Sequence, residues 1–168
     1  ILPAPVANEL KEKGTATPQS YENVSVLFAD LVGFTLRAGV MTPASIINEL
    51  DYCFQAFDDI IEKYGLEKIK TMGDGYMCAG GVPLPSPDSS INTVKAGIEM
   101  QHFVKEWGNR KEKLGEKPWQ IRVGIHTGEI IAGVVGKKKF AYDIWGDTVN
   151  TASRLETACE PGKVNISG

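Results

Sequence analysis

Asp30 closes an apolar run, Val24-Ser25-Val26-Leu27-Phe28-Ala29, and Asp74 sits in the tight turn Met72-Gly73-Asp74-Gly75. Carboxylates at strand ends suit hard divalent cations, which take oxygen ligands. Asn150 and Arg154 stand four positions apart in Trp145-Gly146-Asp147-Thr148-Val149-Asn150-Thr151-Ala152-Ser153-Arg154. That spacing puts both side chains on one helix face. An Arg so placed suits the charge that develops on a transferring phosphate. Together these four residues point to metal-assisted phosphoryl chemistry on a nucleotide.

Each has a plainer explanation to be weighed against this one. Gly-Asp-Gly is common turn chemistry, and Asp74 alone is as well explained that way. Asp30 is harder to dismiss, because ending a buried strand in a carboxylate costs desolvation. In a βαββ unit, the end of the first strand and the hairpin of the next two can meet at one end of the sheet. Two carboxylates there repel unless a cation joins them. Gly33-Phe34-Thr35, just after Asp30, supplies backbone N–H groups that could cradle phosphates. Lys70 ends the strand feeding the hairpin, and Asp143 lies in a strand before Trp145-Gly146. A donor and an acceptor match adenine N1 and N6, and guanine presents the reverse polarity. For an isolated Lys or Asp, a surface salt bridge or a solvated charge is the better explanation. Lys137-Lys138-Lys139 reads as a solvated hairpin tip, His126 as a satisfied strand residue and His102 as a helix-surface residue.

The elements that must position these groups follow from periodicity and punctuation. Residues 1–20 read as a linker carrying Pro3, Pro5, Gly14 and Pro18, with Val6 and Leu10 hinting at a short helix. The first strand is expected at Val24–Ala29, apolar throughout and so central. Thr42-Pro43 opens a helix as N-cap and first residue. Its stripe runs Ile46, Leu50, Cys53, Phe57, Ile60, Tyr64, and Gly65 closes it. Glu67–Met72 and Tyr76–Ala79 read as a hairpin, and 82–87 as a proline-rich loop. A helix is expected from Ser89 to Trp107, with Ala96, Met100, Phe103 and Trp107 inward. Ile121, Val123 and Ile125 alternate as a strand. Ile130–Val135 and Phe140–Ile144 read as two more, Thr148–Ala158 as a helix, and Lys163–Ile166 as a final strand. The order from Val24 is β-α-β-β-α-β, a ferredoxin-like α/β (α+β) sandwich with an added hairpin and helix.

The bulk numbers agree with a single domain of 168 residues and 42% apolar composition. A net charge of −3 argues against nucleic-acid binding. Three cysteines, Cys53, Cys78 and Cys159, form no CxxC, so neither a disulfide framework nor a zinc site is expected. No apolar run is long enough to span a membrane. A reducing, cytoplasmic setting fits, with membrane anchoring of a parent protein left open.

The motifs taken together resemble the class III nucleotidyl cyclase catalytic domain, of bacterial adenylate cyclase type. The matching blocks are Phe28-Ala29-Asp30-Leu31-Val32-Gly33-Phe34-Thr35, Lys70-Thr71-Met72-Gly73-Asp74-Gly75-Tyr76-Met77, Arg122-Val123-Gly124-Ile125-His126-Thr127-Gly128, and Tyr142 through Glu156. They cover residues 21–168, with 1–20 as an N-terminal linker. The resemblance implies conversion of ATP to 3′,5′-cyclic AMP and pyrophosphate. It implies two metals per site, Mg²⁺ or Mn²⁺, on Asp30, Asp74 and the Leu31 carbonyl. It also implies an adenine-selective pair in Lys70 and Asp143, a ribose-orienting Asn150 and a transition-state Arg154. A homodimer follows, with sites shared across its interface. One protomer brings the metal carboxylates, and the other brings Lys70, Asp143, Asn150 and Arg154. An upstream sensor or regulatory domain in the parent protein is expected too. The family pattern continues past Gly168 through a hairpin whose Lys contacts the triphosphate, so the C-terminal end is expected to be incomplete. Alternatives are a guanylate cyclase or a catalytically silent nucleotide-binding or dimerisation module. A diguanylate cyclase would need a Gly-Gly-Asp/Glu-Glu-Phe signature, which this chain lacks.

Overall fold

β1 (Gln19–Leu31) runs between two antiparallel neighbours at the centre of a six-stranded sheet, in a computed structural model that describes residues 1–167. The hairpin β2 (Glu67–Met72) and β3 (Gly75–Gly80) lies on one side of it, and the long β4 (Ile121–Val135) on the other. β5 (Ala141–Trp145) continues the order as β2-β3-β1-β4-β5, and β6 (Val164–Ile166) adds to β4 in parallel. The expected β-α-β-β-α-β order is present. β4 is one strand where two were expected. Thr127 and Gly128 keep pairing with Ser25 and Val24, so the ladder carries through the polar stretch His126–Glu129.

Both faces of β1 are covered, which is why its run is apolar but for Ser25, whose hydroxyl bonds that of Thr127 at 2.6 Å. Leu27, Ala29 and Leu31 pack under α3 (Pro43–Lys63) and α4 (Ser89–Lys113), among Phe57, Met100, Ile121 and Val123. Val24 and Val26 face the other way, toward Met77, Ala79, Ile130 and α5 (Asp147–Thr157). α3 starts as its sequence demands, with the Thr42 side chain accepting the Ser45 N–H and Pro43 in the first turn. One helix was only hinted at by the sequence, and another was not expected. α1 (Ala4–Lys13) occupies the segment read as a linker, and its Val6 packs with Leu2 against the second core. α2 (Phe34–Ala38) starts within the phosphate-cradle candidates, at Phe34, and has no buried residue. Its five residues are too few for an apolar period to be legible. No helix among the described residues is long and apolar enough to cross a membrane.

α5 lies unusually close to the sheet. A Cβ on Gly124 would overlap the Glu156 backbone nitrogen and press on the Ala152 carbonyl, and one on Gly128 would meet the Thr148 hydroxyl. Thr148 in turn donates to the Glu129 carbonyl at 2.7 Å. The inward residues are Thr148, Ala152 and Glu156, spaced by one helical turn. Because backbone rather than a flexible side chain blocks position 124, Gly124→Ala must displace the helix. Overpacking of this kind costs about 1–3 kcal/mol, or ~2–12 °C in Tm for a chain of this size. Thermal melts of the variant against wild type measure it, and an unchanged Tm would show that the helix has room to move.

Candidate active site

Asp30 is the last polar residue of the central strand, and the ladder fixes its surroundings. It pairs with Gly75 on one side, which brings Asp74 alongside, and with Arg122 on the other. The expected meeting of the first strand with the hairpin turn is therefore present. Burial raises the pKa of Asp74 first of all, and the charge of Asp30 adds to this. Hydrogen bonds from its own backbone and that of Leu31 act the other way. Asp30 Oδ1 is buried with no hydrogen-bond partner. A buried, unpaired carboxylate oxygen beside a second carboxylate is a site that lacks positive charge. No three His, Cys, Asp or Glu side chains among the described residues converge as a metal cage. The side chains of the expected metal set that the ladder brings together are thus the two carboxylates of Asp30 and Asp74. This is the sparse oxygen set that suits Mg²⁺, which completes its shell with substrate phosphate and water.

Two further charged groups belong to this cluster, and the motif reading passed over them. Arg122 stands directly across from Asp30, with its Nε buried and unpartnered. Glu156 enters from α5, and its Oε1 is likewise buried and unpartnered. Burial, then a hydrogen bond to Asp30 and its charge, push the Glu156 pKa up to about 8, and Arg122 opposes them. A signal for Glu156 was available. It continues the inward spacing Thr148, Ala152, Glu156, and a Glu on a core-facing stripe is exceptional.

Lys70 and Asp143 lie on β2 and β5, the two ends of the main strand order. The sheet nevertheless brings them together, with Lys70 Nζ 2.7 Å from Asp143 Oδ2. A register irregularity in β2 between Lys68 and Lys70 accompanies this placement. Asp143 Oδ1 accepts the Ile144 N–H at 2.9 Å, so the carboxylate is oriented from both ends. Two Lys70 hydrogens and a lone pair of Asp143 remain free for a third group.

Asn150 and Arg154 are exposed, on the opposite side of α5 from Thr148, Ala152 and Glu156. They share a face, as expected, but they point away from the sheet on which Asp30 lies. Within one chain they are not brought to the carboxylates. Gly33 caps α2 with φ of 69°, a left-handed conformation that favours glycine, and Phe34 and Thr35 form the first turn. His126 bonds Ser167 through Nδ1 at 2.5 Å, and Lys137–Lys139 form an exposed tip, both as expected.

A family model described as the adenylate and guanylate cyclase catalytic domain matches residues 16–168. An adenylate cyclase of Mycobacterium tuberculosis is 42% identical over 167 residues, 99% of this chain and 37% of that protein. Guanylyl cyclase C of Homo sapiens is 38% identical over 169 residues, spanning all of this chain and 16% of that protein. This chain thus spans well under half the length of these relatives. The crystal structure of the adenylyl cyclase CyaB from P. aeruginosa superimposes with a TM-score of 0.84 at 32% identity, over 90% of this chain and 79% of that one.

The Glu156 shift has a consequence for stability. Its pKa is higher in the folded chain than the ordinary 4.5. Between about 4.5 and about 8 the folded state therefore holds a proton that the unfolded state has lost. Stability of the metal-free chain falls as pH rises through that window. Glu156→Gln should flatten this dependence and melt several degrees above wild type at pH 8.5. Melts at pH 5.5 and 8.5 in the presence of a chelator measure it, and an equal pH slope in the two proteins would refute it.

Proposed function

This chain belongs to the adenylate and guanylate cyclase catalytic-domain family, and from that premise we propose that it converts ATP to 3′,5′-cyclic AMP and pyrophosphate. The observation that carries the choice of ATP is the Lys70–Asp143 pair at 2.7 Å. Residue 70 donates to the lone pair of adenine N1, and residue 143 accepts from the N6 amino group. Guanine would set an N–H against the Lys and a carbonyl oxygen against the carboxylate. Relatives of both specificities match this chain at similar identity, so the selection rests on these two side chains.

Two divalent cations, Mg²⁺ or Mn²⁺, on Asp30, Asp74 and the Leu31 carbonyl would neutralise the triphosphate and acidify the ribose 3′-hydroxyl. The N–H groups of Gly33, Phe34 and Thr35 bind the phosphates. Asn150 fixes the ribose so that its 3′-oxygen lies in line with the leaving pyrophosphate. The bond from the 3′-oxygen to the α-phosphorus forms as the bond to the bridging oxygen breaks, and the hydroxyl proton passes to solvent. Arg154 bonds the equatorial oxygens as charge accumulates on them.

The outward direction of Asn150 and Arg154 supports a site completed by a second copy. Asp30, Asp74 and Gly33–Thr35 of one protomer then face Lys70, Asp143, Asn150 and Arg154 of the other. The catalytic unit is placed at residues 21–168, with residues 1–20 leading into it. The greater length of the relatives supports a longer parent protein, for which we propose an upstream regulatory domain and a cytoplasmic position for this part.

Mixing an Asp30→Ala protomer with an Arg154→Ala protomer tests the shared site. Each homodimer has both sites damaged, and the heterodimer keeps one intact. Activity should return toward a quarter of wild type, following the statistical share of heterodimers with one good site. Heterodimers that form and stay silent would place each site within one chain. Base selection is tested by Lys70→Glu with Asp143→Cys. Each mismatch strands a buried polar group at ~1–3 kcal/mol, so the ATP:GTP ratio of kcat/KM should move by about 10²–10⁴-fold. A ratio that does not move would remove the support for ATP.

A further inference from the structure

We propose that Arg37 is a positioning residue for the phosphate-binding turn, holding Leu31–Thr35 in place from outside the site. The inference rests on the reading of that turn given above. α2 buries none of its residues, and the apolar side chains Leu36 and Val40 beside Arg37 point into solvent. Among the α2 residues only the partly buried Phe34 reaches the core. What holds the segment is a set of contacts to residues 117–120. The Val32 N–H donates to the Gln120 carbonyl at 2.9 Å. Arg37 Nη1 donates to the Pro118 carbonyl at 2.9 Å, and Nη2 donates to the Lys117 carbonyl. The Arg37 guanidinium lies 3.6 Å over the Trp119 ring. The Phe34 ring packs on the same Trp119 at 5.8 Å between centroids.

Trp119 is itself immobilised. It is 2% exposed, and its Nε1 donates to Glu49 Oε2. Glu49 Oε1 accepts from the buried Lys111 at 2.6 Å, and Lys111 also reaches Glu116 at 2.7 Å. These bonds tie α3, α4 and the 117–120 segment into one body. Arg37 couples the turn to that body by two hydrogen bonds and a stack at once. Only a planar guanidinium can do both, so Lys is not an equivalent replacement.

On that reading the Leu31 carbonyl holds a cation that carries the triphosphate, and the Gly33–Thr35 N–H groups hold its oxygens, in both ground and transition states. Loosening them weakens binding in each alike, which appears in KM rather than kcat. Arg37→Met keeps an apolar stem over Trp119 and removes both hydrogen bonds. It should raise KM for ATP with Mn²⁺ about tenfold or more, with kcat at saturation falling less than about threefold. Binding of 3′-deoxy-ATP with Mn²⁺, followed by calorimetry, should weaken by the same factor. Arg37→Lys should recover little of either loss. The melting temperature should change little, because no core contact is removed.

A lower Tm with unchanged KM and unchanged 3′-deoxy-ATP affinity would make Arg37 a structural residue only and overturn the inference. Full recovery by Arg37→Lys would overturn it too, since charge alone would then suffice. If Arg37→Met fails to fold, Trp119→Phe carries the same test. It keeps an aromatic platform but cuts the bond to Glu49, and it should raise KM in the same way. Unchanged KM there overturns the inference. Wild-type protein that binds no 3′-deoxy-ATP with Mn²⁺ would instead sink the nucleotide reading, and this inference with it.

Discussion

The close seating of α5 on β4 is the constraint from which the site follows. Gly124 and Gly128 have no side chains, so the helix backbone rests against the strand. Once it is seated, its orientation has no freedom. Thr148, Ala152 and Glu156 must face the sheet. Asn150 and Arg154, displaced around the helix, must then face away. A helix standing further off could rotate to bring its Arg toward Asp30. This one cannot, and that supports the proposal that the two halves of the site belong to different protomers.

The same seating sets up an electrostatic conflict. It inserts Glu156 among Asp30, Asp74 and Arg122, where three buried polar atoms, Asp30 Oδ1, Arg122 Nε and Glu156 Oε1, have no partners. A single guanidinium cannot balance three carboxylates in a desolvated space. The chain responds by raising the proton affinities of Glu156 and Asp74. Such a cluster weakens the metal-free fold and is relieved by positive charge, so stability and cation binding are linked there. The far side of the sheet carries a contrasting arrangement. Lys111 donates to both Glu49 and Glu116, and Trp119 donates to Glu49 to complete the set. That network has its charges paired and acts as a fixed point. The turn after Asp30 therefore spans an unbalanced cluster on one side and a balanced one on the other.

Much of the fold was legible because its elements are long and their periods clean. The α3 stripe of Cys53, Phe57 and Ile60 is buried as its spacing predicted, and the capping residues Thr42 and Pro43 act as their chemistry requires. The failures were at short or irregular elements. α2 is too brief to show a period. α1 was only hinted at by Val6 and Leu10, because prolines flank it and, with Leu2 just ahead of it, only Val6 of the helix packs against the second core. The single long β4 was divided because polar residues at 126–129 resemble a turn. Pairing with Val24 and Ser25 overrode that local signal.

For the proposed site, the sequence by itself supplied the candidate groups. A carboxylate ending a buried strand, a second in a Gly-Asp-Gly turn, and Asn and Arg one helical turn apart are properties of residue type and spacing. Only tertiary structure could decide which groups meet. Lys70 and Asp143 are separated by 73 positions and lie on non-adjacent strands, yet they bond because the sheet brings its ends together. Asp30 and Arg154 belong to neighbouring elements and still do not face one another. Spacing fixes direction within a helix or strand. Direction between elements depends on how closely they pack, and here the missing side chains of two glycines settle it.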